Sequence, residues 1–155
     1  MSVSPIPAGY HSLTPYLVCK GAAAAIEFYK QAFNAKEVMK LEMPGGMIGH
    51  AELLIGNSHL MLADECEMAS APPVPGDSGT GFCLYVENCD EMFAQAIAAG
   101  ATEKRPLQDQ FYGDRSGTLV DPFGHVWTIS THIEDLTPEE IDERMKGWME
   151  SQSAG

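Results

Sequence analysis

The chain contains two copies of one pattern, and this internal repeat restricts the possible folds more than any other feature. The first copy, a strand followed by a helix and then by further strands, runs from about Leu13 to Asp64. The second copy has the same order and runs from about Thr80 to Thr131. Two half-sheets related by pseudo-twofold symmetry can face each other across a cavity, and ligands collect in such cavities. The repeat therefore predicts a fold in which both halves contribute to a functional site.

Each unit is predicted to contain a leading strand, an amphipathic helix and three further strands. The leading strands are the β-rich runs 14–19 and 81–86, and apolar side chains then recur at helical spacing. The further strands are predicted at 36–42, 47–55 and 58–64 in the first unit, and at 103–110, 115–120 and 125–131 in the second. The predicted fold class is α+β: two βαβββ modules in tandem that form a curved mixed sheet lining a cavity, followed by a C-terminal helix.

The expected boundaries are 8–66 for the first module, 67–79 for a Pro/Gly-rich connector, 80–133 for the second module and 134–155 for an acidic helix and tail, all within one structural domain. Thr137 and Glu140 form a predicted capping box around Pro138, which suits the first position of a helix. An apolar stripe follows at helical spacing: Ile141, Met145, Trp148 and Met149. This stripe needs a partner surface, either on its own domain or on another subunit.

Composition and charge exclude several classes of protein. With 155 residues, 45% of them hydrophobic and 20% charged, the chain can bury the core of one globular domain. No apolar run reaches the roughly 18 residues that a membrane span needs, and the first residues lack the pattern of a signal peptide. We therefore expect a cytoplasmic protein without a membrane partner. A net charge of −13 argues against binding to nucleic acid, because phosphates require a basic surface.

Three segments together resemble the vicinal oxygen chelate superfamily, which includes glyoxalase I, extradiol dioxygenases, and fosfomycin- and bleomycin-resistance proteins. They are the leading Pro15-Tyr16-Leu17-Val18, the helical Ile26-Glu27-Phe28-Tyr29, and the closing Asp121-Pro122-Phe123-Gly124-His125-Val126-Trp127-Thr128-Ile129. Thr14-Pro15 and Gly49-His50-Ala51-Glu52 resemble its PhnB-like branch. The resemblance covers roughly residues 13–133 and implies the fold. It does not select an activity, because the same fold serves isomerases, oxygenases, transferases and binding proteins.

The resemblance also implies where a metal would be bound. Metal-dependent members use His, Glu or Gln on the first and last strands of each module, and a protein metal site usually needs three such donors. The matching positions here hold Leu13 or Thr14, Leu62, Gly81 and Thr128. None of these is a strong ligand. We therefore expect no metal cofactor of the family type, and a divalent metal in an unusual arrangement is the alternative.

Other polar residues could form a different site. Strand alternation places His50, Glu52 and Leu54 on one face of their strand, and Arg115 and Leu119 on the face related by the repeat. If these faces line the cavity, His50 would transfer a proton, Glu52 would act as its partner or as a base, and Arg115 would bind an anion. The alternative is structural: an ion pair between Glu52 and Arg115, with His50 in a satisfied hydrogen bond.

Further side chains complete the candidate set. Tyr112 lies just before a predicted strand, where it is interpreted either as a gate for a ligand or as an aromatic plug in a polar turn. Thr128 is expected to line the cavity. Methionines in the first sheet are interpreted as core filling, with an adaptable ligand pocket as the alternative; they are Met39, Met43, Met47 and Met61.

Two classes of function remain open. One is a protein that binds or sequesters a small, partly aromatic molecule, as bleomycin-resistance proteins do, without a metal. The other is a lyase, isomerase or transferase that acts on a small oxygen-rich metabolite through His50, Glu52 and Arg115, with or without a metal. In either case, the resemblance implies a homodimer in which sheets from both subunits complete two cavities.

Overall fold

The computed structural model describes residues 2–154, which form an α+β fold with the predicted repeat. The first module contains β1 (Tyr16–Cys19), α1 (Ala22–Phe33), β2 (Lys36–Glu42), β3 (Ile48–Ile55) and β4 (Ser58–Asp64). The second contains β5 (Gly81–Tyr85), α2 (Cys89–Ala99), β6 (Thr102–Asp109), β7 (Asp114–Val120) and β8 (Val126–His132), and α3 (Pro138–Ser153) follows. Strands β2 and β4 begin and end at the predicted residues. The predicted fold class is therefore confirmed.

Each module forms its own four-stranded mixed sheet. The strand orders are β1-β4-β3-β2 and β5-β8-β7-β6, with the leading strand parallel to the last strand and the other pairs antiparallel. A parallel pair needs a long crossover connection, and in each module the helix lies within that connection. The two sheets therefore have the same topology, as the repeat in the sequence predicts.

Helix α1 is positioned by groups at both of its ends. Its N-terminus has no capping side chain of its own, and Asp64 at the end of β4 accepts hydrogen bonds from the backbone N–H groups of Gly21 and Ala22 at 3.0 and 2.7 Å. Its C-terminus ends at Asn34, whose φ of 56° is a left-handed conformation that asparagine tolerates. Because Asp64 also accepts from Ile48 N–H, one carboxylate joins α1 to β3 and β4.

The two modules share one hydrophobic core. Tyr29 and Phe33 of α1 contact Trp127 of β8, with ring centroids 5.5 and 4.6 Å apart. Buried Asp121, between β7 and β8, accepts hydrogen bonds from Tyr29 Oη–H at 2.5 Å and from Trp127 Nε1–H at 2.9 Å. Burial raises the pKa of Tyr29 well above its ordinary value, so its hydroxyl stays a donor to this carboxylate.

The shared core changes the predicted position of the cavity. Helices α1 and α2 pack against each other, and the helix-facing sides of both sheets close on them. The other face of each sheet, called here the open face, therefore points away from the core. Within one chain, the apolar faces of both helices fill the space between the helix-facing sides of the two half-sheets.

The C-terminal helix α3 begins with the predicted capping box. Thr137 Oγ1 accepts from Glu140 N–H at 3.2 Å, and Glu140 Oε2 accepts from Thr137 N–H at 2.9 Å. No residue of α3 is buried, although Trp148 contacts Phe111 with ring centroids 5.7 Å apart. The apolar stripe of this helix is thus largely exposed. None of the helices in residues 2–154 is long and apolar enough to span a bilayer.

Candidate functional site

The open face of the first sheet carries the predicted pair His50 and Glu52. On β3 these residues alternate with Ala51 and Leu53, which are fully buried against the helix side. Their predicted orientation, away from the helices, is confirmed. The strand register places Met61 of β4 opposite both Glu52 and Tyr16 of β1. The pair therefore lies on the middle of the sheet rather than at its edge.

A chain of hydrogen bonds, called here the Glu52 network, links four side chains on this face. His50 Nε2 lies 3.0 Å from Glu52 Oε1, and His50 Nδ1 lies 2.9 Å from Tyr16 Oη. Tyr10, from the segment before β1, donates its hydroxyl to Glu52 Oε2 and stacks on His59 with ring centroids 3.7 Å apart. His59 Nδ1 is buried beneath it with no hydrogen-bond partner among residues 2–154. The segment before β1 thus folds across the open face.

One arrangement of protons satisfies the whole network. Hydrogen bonds from His50 and then Tyr10 lower the pKa of Glu52, and the hydrogen bond to Glu52 raises the pKa of Tyr10 to about 12. Burial raises the pKa of Tyr16. Ionised Glu52 can therefore accept from Tyr10 and from His50 Nε2–H, and in that tautomer His50 Nδ1 accepts from Tyr16. Both nitrogens of His50 are occupied, and the Tyr16 oxygen keeps a free lone pair at the end of the chain.

A largely apolar hollow of about 560 Å³ lies beside this network. Tyr16 and Val18 line it together with Met43, Met47 and Met68. Met43 and Met47 are 55% and 50% exposed, so the interpretation of these methionines as core filling is wrong. Flexible, polarizable thioethers beside a fixed polar network form a surface that can adapt to an apolar ligand.

Arg115 does not join this site. It lies on the helix side of β7, where it donates to both Asp90 oxygens at 2.9 Å and to Asp109 at 3.1 Å. Its ion pair lowers the pKa of Asp90 at the start of α2. The predicted convergence with His50 is therefore wrong, and so is the alternative ion pair with Glu52. Leu119, on the same side of β7, is fully buried in the core and does not line the open face.

A difference of one residue between the repeats explains these errors. Since side chains alternate, a shift of one position moves a whole strand's pattern to the other face. Gly117 lies against α2, where a Cβ would come within 2.8 Å of the Phe93 ring. The open-face residues of β7 therefore include Ser116 and Thr118. The same error affects Leu62, which is buried on the helix side, so that Met61 occupies the open-face position of β4.

The remaining candidates lie apart from His50. Tyr112 and Thr128 line a hollow of about 510 Å³ on the open face of the second sheet, where Thr128 Oγ1 lies 3.1 Å from Thr118 Oγ1. Leu54 lies on the same face of β3 as Glu52, opposite Lys36 of β2 and next to a smaller hollow. The structure thus brings Tyr112 together with Thr128 and leaves Leu54 at the end of the first site.

Sequence reasoning missed two parts of the open faces. Tyr10 precedes the first strand, where no periodic pattern indicates a contact with Glu52. In the second module, buried Asp114 accepts from Tyr85 Oη–H at 2.6 Å and binds His132 Nδ1 at 2.8 Å. The hydrogen bond to Asp114, and then that to Asp135, raises the pKa of His132. Asp114 lies two residues after Tyr112, the predicted ligand gate. This proximity is the only signal in the sequence that points to the cluster around Asp114.

The residues on the open faces do not fit a metal site of the family type. On the first and last strands, the side chains that share the open faces include Tyr16, Met61, Cys83 and Thr128. Within residues 2–154, no group of three His, Cys, Asp or Glu side chains lies close enough to hold a metal ion. His50 and Glu52 supply only two donors, and both are engaged in the Glu52 network.

Two tandem βαβββ modules with a polar site on an open sheet face define the class of this protein. The chain belongs to the glyoxalase/bleomycin resistance protein/dioxygenase superfamily, whose family model matches residues 10–129. An uncharacterized protein of Mycobacterium bovis is 37% identical over 139 residues, covering 86% of this chain and 91% of that protein.

Solved structures share the fold. TioX from Micromonospora sp. ML1 has a TM-score of 0.66 and 25% identity, covering 79% of this chain and 99% of that one. A Bacillus cereus PhnB protein, described as a putative 3-demethylubiquinone-9 3-methyltransferase, has a TM-score of 0.64 and 20% identity over 78% of this chain and 99% of its own. The predicted superfamily is confirmed, and its PhnB-like branch is among the structural neighbours.

Proposed function

We propose that the chain is a small-molecule-binding protein of the glyoxalase/bleomycin-resistance type, whose ligand lies on the open face of the first sheet and needs no divalent metal. The observation that carries the proposal is the Glu52 network beside the methionine-lined hollow of about 560 Å³. Ligand pockets commonly combine a large apolar lining with a few fixed polar groups. Here the hollow supplies the apolar surface, and the Tyr16 hydroxyl supplies a polar group held in place by His50.

Tyr10 supports a binding role because it already covers part of this face. Its ring occupies the space between Glu52 and His59, and its removal would expose both the carboxylate and the unpaired Nδ1 of His59. A ligand with a hydrogen-bond donor for Glu52 and a flat surface for His59 would replace both contacts of Tyr10. We therefore include displacement of the segment before β1 as a step in ligand binding.

The functional unit is proposed to be a homodimer in the cytoplasm. Several apolar side chains remain exposed on the open face of the first sheet; they are Tyr16, Met39, Leu41, Met43 and Met47. A patch of this kind on a single chain is typical of an interface. A second copy whose own open face covered it would complete an enclosed cavity. Light scattering at micromolar concentration should return twice the single-chain mass of 16.8 kDa, and a single-chain mass would contradict the pairing.

An enzyme is the second candidate, and the His50–Glu52 pair is the observation that favours it. Glu52 orients His50 in the manner of a base and its supporting carboxylate. However, Nδ1 of His50 accepts from Tyr16 and Nε2 faces Glu52, so a substrate reaches the imidazole only through the Tyr16 hydroxyl. Proton transfer would then run from substrate to Tyr16 to His50. Turnover with a bell-shaped pH profile that is lost in His50→Ala would favour this reading.

Ligand binding is tested with thermal shift assays on a panel of metabolites and drugs that includes bleomycin, followed by calorimetry on the compounds that stabilise the protein. The site variant is Glu52→Gln, and the matched control is Glu103→Gln, the same change on exposed β6 of the second sheet. Ligands of the proposed site should bind the wild type and the control alike and bind Glu52→Gln about tenfold or more weakly, because a charge-assisted hydrogen bond is lost. Equal binding to all three proteins would place the ligand elsewhere.

A further inference from the structure

A second hollow has a charge that contrasts with the rest of the molecule. It lies on the open face of the second sheet and under the C-terminal half of α3, with a volume of about 510 Å³. Among the described residues that line it there is no Asp or Glu, although the chain has 22 acidic residues and a net charge of −13. Carboxylates are thus absent from the described part of the lining of a large hollow in a strongly acidic protein.

Within residues 2–154, Arg105 is the one cation that lines this hollow. The antiparallel register of β6 and β7 places Arg105 opposite Thr118, and directly opposed residues project from the same face of a sheet. The arginines Arg115 and Arg144 each bind carboxylates, but Arg105 makes no ion pair within residues 2–154. Its guanidinium therefore remains available to an anion that enters the hollow.

Aromatic side chains form the wall opposite the strands. Trp148 of α3 packs against Phe111 with ring centroids 5.7 Å apart and planes 36° apart, and Tyr112 meets Phe111 edge-on at 5.3 Å. Both Trp148 and Tyr112 remain partly exposed and line the hollow. The floor is polar but uncharged, since the Thr118 and Thr128 hydroxyls lie side by side there. A flat ring can lie against such a wall while its substituent meets the floor.

We propose that this hollow binds a small aromatic carboxylate, with its ring against Trp148 and Tyr112 and its anionic group on Arg105. All the residues involved belong to one chain, to its second module and to the helix α3 that follows it, so the site depends neither on the Glu52 network nor on the proposed pairing of subunits. It also assigns a role to α3: the only tryptophan of this helix closes the hollow from above. The proposed ligand class follows from the combination of one unpaired guanidinium, an aromatic wall and a lining without carboxylates.

The probe for the test is naphthalene-2-carboxylate, observed by NMR through the indole N–H signals of the two tryptophans. Trp127 is buried in the core and donates to Asp121, whereas Trp148 lines the hollow. Titration should shift the Trp148 signal in a saturable way, with a Kd of about 1 mM or below, and leave the Trp127 signal in place. The neutral amide of the same ring, naphthalene-2-carboxamide, should bind about tenfold or more weakly, because it lacks the charge that pairs with Arg105.

The test variant is Arg105→Gln, which should weaken binding of the carboxylate about tenfold or more and leave binding of the amide nearly unchanged. The matched control is Lys104→Gln, which removes the same charge from the neighbouring residue, whose Nζ donates to the carbonyl of Gly76 in the connector. Since Arg105 is exposed and unpaired, Arg105→Gln should have the same melting temperature as the wild type. The Glu52→Gln variant should bind the probe with the affinity of the wild type.

Three results would overturn the assignment. They are the absence of a saturable Trp148 shift at millimolar probe, equal affinity for carboxylate and amide, and equal losses in Arg105→Gln and Lys104→Gln. The last result would mean that the probe responds to net charge rather than to the site.

Discussion

Replacing Asp121 by asparagine tests the contact that joins the two modules. Its Oδ1 accepts from the backbone N–H groups of Phe123 and His125 at 2.9 and 3.0 Å, and its Oδ2 accepts from Tyr29 and Trp127. The carboxylate is 3% exposed, so water cannot replace these four donors. An asparagine oxygen can keep the two backbone bonds, but its NH₂ group then faces two donors.

The expected loss follows from the number of bonds. A hydrogen bond to a charged group contributes about 1.5–3 kcal/mol, and two are lost in Asp121→Asn, so the free energy of unfolding should fall by about 3 kcal/mol or more. Tyr29→Phe removes one bond and leaves the carboxylate with three donors, and it should cost about half as much. A domain of this kind has roughly 5–15 kcal/mol in total, so both variants should still fold.

Urea unfolding at neutral pH measures both values, with fluorescence of the buried Trp127 as one signal and circular dichroism as the other. A loss below about 1 kcal/mol in Asp121→Asn would refute the argument that this carboxylate holds α1 of the first module to the second sheet. So would a larger effect for Tyr29→Phe than for Asp121→Asn.

Three further predictions concern strain, pH and metal. Gly113 has a φ of +97°, and a Cβ there would come within 2.5 Å of the Glu134 carbonyl oxygen; Gly113→Ala should therefore lower the free energy of unfolding by about 2 kcal/mol or more. The control Gly147→Ala, in open space on α3, should be neutral or stabilising, and urea unfolding compares the two. The pKa of Tyr10 is raised from 10.0 to about 12. The stability that its contact with Glu52 contributes should therefore be complete below pH 10 and be lost as the pH rises towards 12. Equal alkaline unfolding curves for the wild type and Tyr10→Phe would contradict this prediction. Protein purified without added metal should contain well under one equivalent by elemental analysis, and a large fall in melting temperature with EDTA would show instead that a metal is part of the fold.

Local patterns in the sequence predicted the elements correctly. The strand bounds of β2 and β4, the capping box at Thr137 and the orientation of His50 on β3 all depend on residues close together in the chain. Such features follow from backbone capping and from alternation, which a single strand or helix already expresses. For the same reason the repeat was sufficient to predict both modules and, with the closing Asp121-Pro122-Phe123-Gly124 segment, the superfamily.

Relations between the modules were not predictable in this way. The assignment of Arg115 to the cavity assumed that the two repeats align without a shift, and a shift of one residue reverses the face of every side chain on a strand. The pattern of β7 separates the two choices poorly, because both faces carry small or polar residues and each face also carries one aliphatic residue, Leu119 or Val120. The packing of Gly117 against Phe93 of α2 decides it, and that contact joins residues from different elements.

The sequence by itself determined that this chain forms two βαβββ modules, because hydrophobic periodicity, turns and caps act over a few residues at a time. Only the tertiary structure decided where a ligand could bind. The apolar faces of α1 and α2 are buried most completely when they pack together, and this packing turns both open faces outward. Tyr10 then meets Glu52, and Trp148 meets Phe111, through contacts between segments whose positions depend on how the whole chain packs.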